Sequence, residues 1–125
     1  MERGGTILLV DDDYDVREYM QFVLDEAGYA VRVAANGEEA LRLLSGEPEV
    51  ALLVTDVIMP GMNGVELARR ARAMRPGLNI LFVTGYTRNI ALEALAGADV
   101  LDKPFPRERL LHAVERALRS RSYAS

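Results

Sequence analysis

The stretch Leu52-Leu53-Val54-Thr55-Asp56-Val57-Ile58-Met59-Pro60-Gly61-Met62-Asn63-Gly64 decides the fold. An apolar run of strand length climbs to Asp56 and then breaks into a loop punctuated by Pro60, Gly61 and Gly64. A continuous apolar run of this kind suits a strand covered on both faces, as in a parallel sheet. In such sheets the loops at the carboxyl ends of the strands form the ligand crevice, so Asp56 is expected at its mouth. Taken alone, Asp56 reads equally well as a residue that ends a strand and starts a turn. The rest of the chain decides between the two.

Upstream, Thr6-Ile7-Leu8-Leu9-Val10 is a second apolar run, and it ends in Asp11-Asp12-Asp13. Helical spacing follows at once, with Val16, Tyr19, Met20, Val23, Leu24 and Ala27 three and four apart and Gly28 as a stop. Val31 and Val33 flank Arg32 in a short strand that leads to Asn36-Gly37, a turn signal. Glu38 to Leu44 reads as a helix with early acidic residues, ended around Ser45-Gly46-Glu47-Pro48, before the strand Val50 to Thr55.

Downstream, Leu67, Ala68, Ala71 and Met74 give a helix that stops before Pro76-Gly77. Ile80 to Val83 is another buried strand, ending at Thr84-Gly85-Tyr86. Asn89 to Ala96 is read as a short helix and Val100-Leu101 as a brief last strand, before Asp102-Lys103-Pro104-Phe105-Pro106. The final helix carries Leu110, Leu111, Val114, Ala117 and Leu118 on one side, with Arg107, Arg109, Arg116 and Arg119 largely on the other. Strands alternating with helices in about five βα units predict an α/β fold with a parallel sheet and helices on both faces.

Composition sets the bounds. The 125 residues, half of them hydrophobic, suit one domain with a single core, about 6–119 within 1–125. A net charge of -4 argues against a nucleic-acid-binding surface. No cysteine means no disulfide framework, which fits a reducing cytoplasm. No apolar run reaches the length of a membrane span and Met1-Glu2-Arg3-Gly4-Gly5 lacks a signal-peptide core, so a cytoplasmic location is expected.

Right-handed crossovers put every strand's carboxyl end on one edge. That edge collects Asp11, Asp12, Asp13, Asp56, Thr84 and Lys103. Several carboxylates held close repel one another, and a divalent cation is the usual compensation. Oxygen ligands without histidine or cysteine favour magnesium or calcium over zinc, and magnesium suits an open crevice shared with a phosphate. Asp13 is read mainly as the N-cap of the following helix. Lys103, held extended before Pro104, can reach back over the crevice to a carboxylate or a phosphoryl oxygen. Thr84 offers a hydroxyl to the same oxygen. Each residue has a plain explanation by itself, but together they form a phosphoryl site in which an Asp carboxylate accepts the group as an acyl phosphate.

These residues carry a resemblance. Val10-Asp11-Asp12-Asp13, Thr55 to Gly64, Thr84-Gly85 and Lys103-Pro104-Phe105, in that order and spacing, make the chain similar to the response regulator receiver domain of two-component signalling. The resemblance implies a three-layer flavodoxin-like fold with strand order 2-1-3-4-5, a family the general rule for such sheets already includes. It implies that Asp56 is the phosphoacceptor, supplied by a sensor histidine kinase or a phosphotransfer protein, in a signalling switch and not an enzyme. It implies one magnesium ion, with manganese able to substitute, held by Asp11, Asp12, Asp56 and the backbone carbonyl of Ile58. Thr84 and Lys103 would bind phosphoryl oxygens, and Pro104 would follow a cis bond. The short helix, last strand and last helix would form the surface that alters partner binding. The run Thr84-Gly85-Tyr86-Thr87-Arg88-Asn89 resembles receivers of hybrid histidine kinases. The end of the chain soon after the last helix leaves no room for a DNA-binding domain, which suits a stand-alone receiver or a piece of a larger kinase.

Two positions depart from the family pattern. Val100 stands where many receivers carry an aromatic ring that moves inward with the threonine, so Tyr86 is expected to take part of that role or to shield the acyl phosphate. Unchanged phosphoryl lifetime and partner binding in Tyr86→Ala would refute this. Ile58 is apolar where some receivers orient the hydrolytic water, so slow self-dephosphorylation is expected. His112, the only histidine, reads as an ordinary surface residue. Two other functions compete: a small magnesium-dependent phosphatase of the haloacid-dehalogenase type, with Asp11 as nucleophile, and a constitutive interaction module.

Overall fold

The computed structural model of the chain describes residues 5–85 and 98–119. Among them, strand β1 (Thr6–Val10) leads to helix α1 (Tyr14–Glu26), β2 (Ala30–Ala34), α2 (Gly37–Gly46) and β3 (Val50–Thr55). Then come α3 (Gly64–Met74), β4 (Asn79–Thr84), β5 (Asp99–Asp102) and α4 (Arg107–Arg119). All strand pairs are parallel, in the order β2-β1-β3-β4-β5. The expected helix over Asn89 to Ala96 and the residue Tyr86 lie outside the described residues.

Successive side chains of a strand point to opposite faces, which explains why the central runs are apolar throughout. Leu8, Val10, Leu53, Ile80 and Phe82 face one way and meet Ala40 and Leu44 of α2 and Leu67, Ala68 and Ala71 of α3. Ile7, Leu9, Leu52, Val54, Leu81 and Val83 face the other way, against Met20, Val23 and Leu24 of α1 and Leu110, Val114 and Ala117 of α4. The result is three layers with a core on each side of the sheet. Tyr19 departs from the buried face read for α1: it is 44% exposed at the helix rim, where its ring meets Phe105 at 6.5 Å. Met74 likewise ends α3 on the exposed side.

The helices begin on capping side chains. Asp13, Asn36 and Asn63 each accept a backbone N–H of the first turn through Oδ1. Asn36-Gly37 is therefore not a free-standing turn. Asn36 caps α2, and Glu39 reaches back to the Ala35 N–H at 2.8 Å, so the turn signal and the helix start are one feature. Gly28, at φ 97°, lets the chain leave α1 in the left-handed region.

Arg75 fastens the sheet edge opposite the strand carboxyl ends. Its guanidinium donates to the carbonyls of Val50 at 2.7 Å, Leu44 at 2.8 Å and Glu47 at 3.1 Å. One cation thus satisfies carbonyls at the end of α2 and the start of β3, with the helix dipole adding to the attraction. Arg75→Ala is expected to lower stability by about 2 kcal/mol, the scale of hydrogen bonds to a charged group. Arg75→Lys should recover only part of this, since a single ammonium lacks the planar fork. An unchanged denaturation midpoint in the alanine variant would mean that water serves these carbonyls equally well.

Candidate functional site: an acidic pocket at the strand ends

The sheet brings the chemistry-bearing residues to one edge because β1, β3, β4 and β5 all end there. Asp11 follows β1 directly, and its N–H donates to the Ala34 carbonyl at 3.3 Å, continuing the ladder. Asp56 follows β3 in the same way, bonded to the Val10 carbonyl at 3.2 Å. Both carboxylates are thereby fixed at the rim by strand geometry. Asp11 is fully buried and Asp56 is 9% exposed, whereas Asp12 is exposed.

Lys103 sits between them. Its ammonium lies 2.8 Å from Asp56 Oδ2 and 3.2 Å from Asp11 Oδ2. Its own N–H donates to the Thr84 carbonyl at 3.0 Å, which locks the end of β5 to the end of β4. The Lys103–Pro104 peptide bond is cis. Asp56 Oδ1 accepts from the N–H groups of Val57 at 2.6 Å and Ile58 at 3.2 Å, so the carboxylate has a fixed orientation. Carboxylate oxygens of Asp11, Asp12 and Asp56 lie within 4.8 Å of one another. Asp13 turns away to cap α1, while its N–H donates to Asp11 Oδ1 at 2.9 Å.

The electrostatics are unbalanced. Burial pushes the Asp11 carboxyl above the usual carboxylate range, with the Asp56 charge adding a little, and the Asp13 N–H and Lys103 offset this only in part. Burial alone would pull the Lys103 ammonium down. The carboxylates of Asp56 and Asp11 outweigh it and hold Lys103 above its ordinary value. Three carboxylates therefore gather here, two of them on one ammonium, with oxygen as the donor atom throughout. That donor set suits a hard divalent cation, and these residues could hold one.

Thr84 lies at the end of β4, fully buried and in register with Asp102. Val100 is in register with Phe82 and only partly buried. The Ile58 side chain is 54% exposed beside Asp56. His112 is exposed on α4. Tyr86 lies outside the described residues.

Two site residues had no role in the sequence reading. Arg17 donates from Nη1 to the Asp11 carbonyl at 2.6 Å and so braces the loop that carries the acidic residues. An arginine one turn into a surface helix gives no sign of this. Gly64 packs against the backbone of Asp56: a Cβ there would fall inside the Asp56 carbonyl. In the sequence Gly64 stands as loop punctuation and as the last residue of the Thr55 to Gly64 motif, with nothing to show the backbone it packs against.

A five-stranded parallel sheet in this order, with an acidic pocket and a bridging lysine at its carboxyl edge, defines a class. Residues 7–115 match the family described as response regulator receiver domain, and the chain belongs to that family. Its members are signalling phosphoacceptors rather than turnover enzymes. Among relatives, the chain is 43% identical over 115 residues to the response regulator receiver protein CpdR of Brucella abortus (strain 2308), covering 90% of this chain and 95% of that protein. It is 37% identical over 121 residues to the sensor kinase CckA of the same organism, covering 92% of this chain but 13% of the kinase. A crystal structure of a CheY-like receiver domain protein from Methanospirillum hungatei JF-1 matches with a TM-score of 0.81 at 34% identity, covering 93% of this chain and 94% of that one. The flavodoxin-like strand order is thus shared with known receivers. No helix among the described residues is long and apolar enough to cross a membrane.

Proposed function

We propose that this chain is the phosphoacceptor switch of a two-component phosphorelay, with Asp56 taking a phosphoryl group from the phosphohistidine of a sensor histidine kinase or phosphotransfer protein. A receiver domain implies a cognate histidine kinase. The observation that carries the reading is Lys103 bridging Asp56 and Asp11 at the mouth of the crevice, with Asp12 beside them.

With Oδ1 of Asp56 engaged by two backbone N–H groups, Oδ2 is the oxygen that attacks phosphorus. The new O–P bond forms as the N–P bond of the phosphohistidine breaks, and the electron pair returns to the imidazole of the donor. Asp11, Asp12, Asp56 and the Ile58 carbonyl would hold magnesium, or manganese in its place. When bound, the ion neutralises charge on the transferring phosphoryl group. Lys103 passes from Asp56 Oδ2 to a phosphoryl oxygen, and the Thr84 hydroxyl donates to another. The last strand and last helix, together with the segment before them, then present a changed surface to the partner.

The donor's approach follows from reach. An apolar groove of about 340 Å³, lined by Asp15, Val16, Tyr19, Lys103, Pro104 and Phe105, opens beside the ammonium that holds Asp56. Tyr14 and Phe22 stand 61% and 59% exposed on the same helix. A helical donor covering this face would bring its histidine to the crevice.

Mapping the label after treatment with acetyl phosphate and magnesium tests the assignment. Phosphate on Asp56 supports it; phosphate on Asp11 would instead support the haloacid-dehalogenase-type phosphatase. Full burial of Asp11, against the slight exposure of Asp56, favours the first outcome. No labelling at all would leave only a constitutive interaction module.

Ile58 bears on the lifetime of the product. An exposed apolar side chain beside the acyl phosphate cannot hold water by hydrogen bonds, so decay is slow. Ile58→Asn is expected to lose phosphate severalfold faster than Ile58→Ala, followed by loss of label after donor removal. The reverse order would contradict the account.

A further inference from the structure

Between the edge strand β5 and helix α4 lies a second groove, of about 270 Å³, on the flank of the sheet away from α1. Its apolar lining is Val100, Leu101 and Ala113. Arg109, His112 and Arg116 stand along it at helical spacing, all three exposed. Asp99 is the one carboxylate in the lining.

The arginines of α4 are not alike. Arg107 is bonded to Glu26 at 2.8 Å, and Arg119 lies 3.6 Å from Glu115. Arg109 and Arg116, among the described residues, have no carboxylate within ion-pair distance. In a chain of net charge -4, two guanidinium groups without an ion-pair partner among the described residues share one groove that holds a single carboxylate, Asp99. Arginine forks suit carboxylate pairs. The partly buried Val100, where a ring would fill more space, leaves an apolar floor below them.

We infer that the groove between β5 and α4 receives an acidic segment of a partner protein, with carboxylates on Arg109 and Arg116 and one apolar side chain seated on Val100, Leu101 and Ala113. This gives a chemistry to the output partner and rests on reading this face as the output surface. The groove is joined to the phosphoryl site by β5 itself, because Lys103 directly follows Asp102 and is tied to Thr84. Charge complementarity of this sort sets specificity and association rate more than raw affinity, so a weak, salt-sensitive interaction is expected.

The test uses the full chain without any phosphodonor and a synthetic peptide of alternating Glu and Asp around one central Leu, followed by amide chemical shifts. Saturable shifts centred on Val100, Leu101, His112 and Ala113 are expected. Arg109→Glu with Arg116→Glu should weaken binding at least severalfold, as should high salt, and a peptide with Lys in place of the acidic residues should not bind. Both arginines are exposed, so the paired variant should keep the fold, which its unperturbed core resonances would show. Shifts that do not saturate, that centre elsewhere, or that survive the charge reversal would overturn the inference. Shifts at the groove on concentrating the protein alone would overturn it in favour of a second copy as occupant. Because no phosphate is involved, these outcomes are separate from labelling of Asp56: an Asp56→Asn protein should bind the peptide as wild type does.

Discussion

Asp11→Asn is expected to melt at a higher temperature than the wild-type chain in the presence of a chelator, and to lose most of its stabilisation by magnesium. Burial, against the partial help of the Asp13 N–H and Lys103, holds the Asp11 carboxyl above its ordinary range. The sign follows from linkage. A raised folded value gives stability that is fully present below the unfolded carboxylate pKa and lost as pH rises through the folded one. At neutral pH the metal-free wild type therefore carries a penalty that asparagine removes, while the amide oxygen can still accept from Asp13. Lys103 keeps Asp56 as a partner. The gain should be small, because the asparagine NH2 then faces the Lys103 ammonium where Asp11 Oδ2 accepts from it, which offsets part of the relieved penalty. Magnesium at a hundredfold its Kd should stabilise the wild type by about 2.7 kcal/mol and the variant by far less. Melting curves across pH, with chelator and with magnesium, check both parts. A variant that melts lower than wild type at neutral pH in chelator would contradict the electrostatic argument.

Gly64→Ala should be the most damaging single-methyl change near the site. The added Cβ would overlap the Asp56 carbonyl carbon and oxygen and lie 2.9 Å from Val57 Cα. All of these are backbone atoms, so no side chain can rotate away. Either α3 shifts or the Asp56–Val57 peptide unit moves, and the N–H groups that hold Asp56 Oδ1 move with it. Overpacking of this kind costs about 3 kcal/mol. Denaturation should show that loss, and the folded fraction should accept phosphate from acetyl phosphate more slowly than wild type. Near wild-type stability and labelling would mean that the loop is more compliant than its contacts suggest.

Much of this was legible in the residues. The runs Thr6 to Val10 and Val50 to Thr55 are apolar from Ile7 to Val10 and from Val50 to Val54, with a buried threonine at one end of each run, and these central strands coincide with the structure to the residue. Their acidic ends mark the edge where Asp11 and Asp56 converge. Less legible were features that depend on tertiary contact. Tyr19 fits the apolar period of α1 but lies at its rim, because the neighbour it meets is Phe105, far along the chain. Asn36-Gly37 reads as a turn until Glu39 is seen closing the cap. Arg17 and Arg75 act on backbone carbonyls, and a carbonyl leaves no trace in a sequence. Val100 departs from the family pattern in the sequence itself, but the groove beside it needs Arg109 and Arg116 brought up by α4.

The account rests on a cation preparing Asp56 by relieving the crowded charge around it. The most direct measurement is the rate of Asp56 labelling by acetyl phosphate as magnesium is titrated from chelator upward, in the wild type and in Asp12→Asn. The account predicts saturable dependence on magnesium in the wild type, with little labelling in chelator and a much weaker dependence in the variant. Labelling of Asp56 at the same rate with and without a divalent cation would contradict it.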